Sequence, residues 1–85
     1  MHDLHLADKI LHQIIEFAKK NNLSRIEKVW VEIGPIVEHG QEIEPENLIF
    51  NLIMLAKGTP AERAELDVKK ISRPGEYIIK EIEGE

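Results

Sequence analysis

The stretch RIEKVWVEIG, residues 25–34, decides the fold of this chain. Val29, Val31 and Ile33 alternate with Lys28, Trp30 and Glu32, the two-residue period of a strand with one face buried and the other open. Gly34-Pro35 then breaks it. The buried face needs a second layer, and the sequence on either side supplies helices for it.

On the N-terminal side, within residues 4–21, Ala7, Ile10, Leu11, Ile14, Ile15, Phe17 and Ala18 recur at intervals of three and four, one face of a helix. Asp3 is placed to cap the first amides. Asn21-Asn22 offers the left-handed conformation that ends helices, and Lys19 and Lys20 suit the negative end of the dipole. On the C-terminal side, residues 36–44 contain Gly40 and keep no period, the mark of a loop. Pro45 suits the first turn of a second helix, with Leu48, Ile49, Leu52, Ile53, Leu55 and Ala56 on its apolar face and Lys57-Gly58 at its end. Both stripes are expected in the core.

Residues 65–71 and 76–83 are two β-rich runs separated by Ser72-Arg73-Pro74-Gly75, in which Pro74-Gly75 fits the centre of a type II turn. They predict a hairpin. The expected architecture is α+β: a small three-stranded, mostly antiparallel sheet with two helices on one face, in the order α-β-α-β-β. With no repeat or linker, residues 1–85 read as a single domain with one modest core.

Charge and composition exclude several functions. Sixteen acidic against eleven basic residues, a net charge of −5, oppose nucleic-acid binding by phosphate neutralisation, and Lys19-Lys20 and Lys69-Lys70 are isolated pairs on solvated faces. No apolar run approaches the roughly 18 residues of a membrane span, and MHDLHLADK lacks the features of a signal peptide, so the expected address is cytoplasmic, away from membranes. The absence of cysteine removes disulfides, thiol nucleophiles and thiolate metal sites. Ser24, Thr59 and Ser72 show no nucleophile signature, which points to a protein that is not an enzyme.

The chemistry that remains is at the start of the chain. In Met1-His2-Asp3 a free α-amine, the deprotonated amide nitrogen of His2 and its Nδ1 can close fused chelate rings around one ion. Nitrogen-rich tetragonal sets of this kind suit Ni(II) and Cu(II), with Cu(II) bound more strongly. Asp3, its amide, water or a partner's group would complete the set. The competing reading is a frayed terminus with no ligand role. His5, one turn from His2, reads as a solvated helix residue or an additional ligand. His12 lies about 10 Å further along the helix and reads as surface. His39 reads as an exposed loop residue or a replacement ligand. Trp30 is expected beneath a helix or against a partner.

The segments MHDLHLADKILHQIIEFAKKNN, VWVEIG and IEPENLIFNLIMLAKGTPAERAELDV, in this order and spacing, resemble the nickel-binding domain of the HypA/HybF family over about the first seventy residues. The resemblance implies a nickel metallochaperone for hydrogenase maturation, with Met1, His2 and Asp3 as the metal residues. It also implies a maturation GTPase or ATPase of the HypB type and a hydrogenase large subunit as partners. Relatives carry a zinc module built on two CxxC pairs between the last two strands; here residues 72–75 take that place as a short turn, so no structural zinc is expected. Asp3 stands where relatives usually have Glu, and the loop after Gly34 is longer. The alternative is a metal-free interaction module of the same fold that docks to a hydrogenase or maturation partner. A hairpin edge able to pair with another chain also leaves a homodimer open.

Overall fold

The computed structural model describes residues 4–38, 40–72 and 77–85. The first helix, α1, spans Leu4–Lys20 and buries Leu6, Ala7, Ile10, Leu11, Ile14 and Ala18; of the expected stripe, Ile15 is half-buried and Phe17 partly exposed, while Leu6 joins the core. It stops where expected. Asn22 takes φ 56°, and the Leu23 amide donates back to the Ala18 carbonyl at 2.9 Å, satisfying a carbonyl the helix leaves open. The proposed Asp3 cap lies outside the described residues.

Strand β1, Ile26–Ile33, is the centre of the molecule, with Ile26, Val29, Val31 and Ile33 buried. Ile26 and Val29 sit three apart, which strict alternation forbids on one face. The register against the last strand explains it, because Ile26 pairs with Gly84 and Lys28 with Glu83, leaving Glu27 as an extra residue that shifts the phase. After Gly34 the chain forms a two-stranded ribbon of β2, Val37–Glu38, and β3, Gln41–Glu42, with Gly40 at φ 81° between them. The expected loop thus contains a small hairpin. Helix α2, Pro45–Leu55, starts on its proline and is followed by Gly58 at φ 81°, as its end signals predict.

The last two strands are β4, Glu65–Lys70, and β5, Tyr77–Gly84. They do not form the predicted hairpin. The sheet order is β4-β1-β5, with β4 parallel to β1 and β5 antiparallel to it. The α+β class, three-stranded sheet and two helices stand, with one pair parallel and one antiparallel. The physical reason is β1: as the central strand it presents backbone donors and acceptors along both edges, and a hairpin of β4 with β5 would leave one of those edges unpaired. Turn chemistry at Pro74-Gly75 lies outside the described residues.

A second bulge helps place the β5 side chains. Val31 pairs with Ile79 and Trp30 with Glu81, so Lys80 is the extra residue and both Ile79 and Ile82 reach the core. Both helices cover this same face. Ile10, Ile14, Ile26, Val29, Val31, Ile33, Leu48 and Leu52 are sealed from solvent, each contributing roughly 1.5–3 kcal/mol of transfer free energy.

The other sheet face carries no helix and holds Lys28, Trp30 and Glu32 half-buried. The Lys28 ammonium lies over the Trp30 ring, 4.6 Å from its centroid, and also reaches Glu65 at 3.4 Å. Trp30 is therefore on the open sheet face, not beneath a helix. None of the described helices is long and apolar enough to cross a membrane.

Candidate metal centre

Met1, His2 and Asp3 lie outside the described residues, so the structure fixes only the support from which they extend. That support is firm. Leu6 and Ala7 are buried within the first turn of α1, anchoring the helix immediately after the tripeptide, while His5 faces solvent. His5 is thus carried by an element tied to the core at its very start.

The direction of α1 follows from its neighbours on β5. Phe17, Asn21 and Leu23 share a surface hollow with Ile82 to Gly84, and Gln13 with Phe17 shares the next one with Ile79 to Ile82. Moving toward the helix start moves toward the start of β5. From Phe17 to Leu4 the helix rises about 20 Å, and from Ile82 to Tyr77 the strand rises about 17 Å. The start of α1 therefore lies toward the Tyr77 end of the sheet.

Three other features meet at that end. Ile33 pairs with Lys70 on one side and Tyr77 on the other, so the connection from β4 to β5 leaves and returns across the end of β1. The Ile71 amide donates to the Ile33 carbonyl at 2.8 Å. Lys70 forms ion pairs with Glu42 and, at 3.4 Å, with Glu44, tying the β2–β3 ribbon and the approach to α2 to the sheet. Hydrogen bonding to Glu42 is the largest effect and raises the Lys70 ammonium above its ordinary value of 10.5; desolvation comes next and opposes it, while the charge of Glu42 and the hydrogen bond and charge of Glu44 add to the rise. The Lys69-Lys70 pair read as a solvated face therefore contains a structural link.

These pairs also bear on metal chemistry. Glu42 and Glu44 are oxygen donors near the right end, but Lys70 engages both. His12 Nδ1 sits 2.9 Å from the Asp8 carbonyl and 3.5 Å from its carboxylate on an exposed helix face, in keeping with its reading as a surface residue. His39 lies outside the described residues. Among the described residues no three or more His, Cys, Asp or Glu side chains come together as a metal site.

Sequence reasoning misplaced one group of side chains. The outer face of α2 exposes Phe50 at 61%, Ile53 at 47% and Met54 at 43%, whereas Ile53 was expected in the core. Phe17 is likewise partly exposed, at the rim where α1 meets β5. A helix of eleven residues against a three-stranded sheet can bury one stripe, and α2 is apolar beyond the stripe that Leu48 and Leu52 define. Phe50 at the centre of the outer face was the available signal.

The fold is a small α+β domain whose first helix is anchored to the core by Leu6 and Ala7. A family profile described as "Hydrogenase/urease nickel incorporation, metallochaperone, hypA" matches residues 1–76, and the chain belongs to this HypA family. It is 34% identical over 71 residues to the hydrogenase maturation factor HypA of Methanobrevibacter smithii, covering 84% of this chain and 54% of that protein. With HypA of Legionella pneumophila it shares 33% identity over 78 residues, covering 92% and 64%. The chain spans about half the length of the archaeal relatives it matches, 46% in the case of Methanopyrus kandleri. The solution structure of the nickel metallochaperone HypA from Helicobacter pylori superposes with a TM-score of 0.75 at 16% identity, over 99% of this chain and 97% of that one, a likeness of fold. The family is one of metallochaperones, a class that carries metal and catalyses no reaction of its own.

Proposed function

We propose that this chain receives Ni(II) at Met1, His2 and Asp3 and passes it toward a nickel enzyme, a [NiFe]-hydrogenase, with the help of a nucleotide-hydrolysing partner of the HypB type and by docking to the hydrogenase large subunit. The observation that carries this is the match of residues 1–76 to the nickel-incorporation family, with the Met1-His2-Asp3 triplet directly ahead of a helix anchored by Leu6 and Ala7. A short tripeptide on a rigid support can offer its nitrogen ligands to an incoming partner, because one coordination position stays with water or an exchangeable oxygen. Such a site favours transfer over storage.

Residues 1–85 serve as a single cut-down nickel domain in this reading. Relatives place a zinc module between their last two strands, and the corresponding connection here joins β4 to β5 across the end of β1. Without cysteine it can hold no thiolate zinc.

The test replaces the chromosomal copy with His2→Ala or with His12→Ala and measures nickel in the purified hydrogenase. His2→Ala is expected to lower hydrogenase nickel at least about tenfold, the scale of a lost ligand contact. His12→Ala should match the wild type, since His12 is engaged locally by Asp8 on an exposed face. Full nickel loading with His2→Ala would instead identify a docking module that works without its own metal.

A further inference from the structure

The outer face of α2 is the largest group of exposed apolar side chains on one described element, and its charges say what covers it. Phe50, Ile53 and Met54 stand at i, i+3 and i+4, bracketed along the same face by Glu46 in the first turn and Lys57 just past the end of the helix. Neither Glu46 nor Lys57 takes part in an ion pair among the described residues. We propose that this face pairs with the same face of a second copy of the chain, two α2 helices crossing antiparallel about a twofold axis.

The sequence spacing is self-complementary in that arrangement. Centring the axis between Phe50 and Ile53 sets each Phe50 against the partner copy's Ile53, and the same step sets each Glu46 against the partner copy's Lys57. A twofold contact requires such reciprocity, every residue meeting its counterpart's complement. Glu46 and Lys57 cancel on this face, although the whole chain carries −5, so pairing here adds no net like charge across the contact. The helix dipoles are also opposed. With about six residues per copy, far fewer than the roughly 20–30 of a standard interface, the pair should be weak and concentration-dependent. This inference does not rest on the nickel reading.

Sedimentation equilibrium of the full chain from about 10 μM to about 1 mM tests it, alongside Phe50→Glu, Glu46→Lys and Lys57→Glu, each checked for an unchanged circular dichroism spectrum. The wild type should pass from monomer to dimer, Phe50→Glu should stay monomeric, and each charge variant alone should weaken pairing at least about fivefold. An equimolar mixture of Glu46→Lys with Lys57→Glu should dimerise again, because each supplies the charge the other lacks, a result that no folding defect can mimic. A wild type that stays monomeric throughout overturns the proposal and leaves the face to a different protein. A dimer indifferent to Phe50→Glu, or charge variants that do not recover on mixing, overturns it as well.

Discussion

Gly84 ends β5 where the chain packs most tightly against the entry to β1. A methyl group there would meet the Arg25 carbonyl oxygen at 2.4 Å and the Leu23 Cδ1 at 3.1 Å. The carbonyl belongs to backbone that also accepts the Glu85 amide at 2.9 Å, so it cannot retreat without loosening that bond. Gly84→Ala is expected to cost about 1–3 kcal/mol in urea unfolding, the range for overpacking a close contact. Gly58 makes the contrast: a methyl group would meet open space, but φ is 81°, so Gly58→Ala should cost about 1 kcal/mol through backbone strain alone. Equal midpoints for wild type and Gly84→Ala would contradict the tight closure of the sheet end described here.

At the scale of elements, the connection between β4 and β5 bridges two strands that both pair with β1, so its length is not dictated by a tight turn. An insertion of about eight Gly and Ser residues after Ser72 should lower stability by less than about 1 kcal/mol, because closure entropy grows only with the logarithm of loop length. A loss of several kcal/mol would show that the short connection holds the strands in register. The same region shows where the sequence was legible. Helix α1, strand β1 and helix α2 could be read because each carries its own period and its own stops: Asn22, Gly34-Pro35, Pro45 and Gly58. Pairing between strands carries no such local mark. Ser72-Arg73-Pro74-Gly75 argued for a hairpin, while the run of strand, helix, strand from β1 through α2 to β4 was the less local signal for a parallel crossover. The β5 bulge at Lys80 was invisible for a related reason, since it is defined only by what lies opposite.

For the whole molecule, the covered sheet face supplies stability and the far end of the sheet is the platform on which the proposed metal site would stand. The start of α1, the two ends of the β4–β5 connection and the Lys70 pairs with Glu42 and Glu44 lie toward one end, leaving α2's outer face and the Trp30 face as separate surfaces. The Met1-His2-Asp3 triplet was legible as a candidate site because its proposed ligands are adjacent in sequence. The exposed stripe of α2 was not, because an apolar periodicity looks the same whether a sheet or another molecule covers it. Metal capture at an amine, an amide and an imidazole releases protons, so affinity should fall as pH drops through about 6.5 and rise above it.

The most direct measurement is calorimetric titration of Ni(II) into untagged protein beginning at Met1, beside His2→Ala and a version with extra residues ahead of Met1. The account predicts about one Ni(II) per chain with Kd near 1 μM or below, lost in both altered forms. Binding that is absent from the wild type, or unchanged in both altered forms, would contradict it.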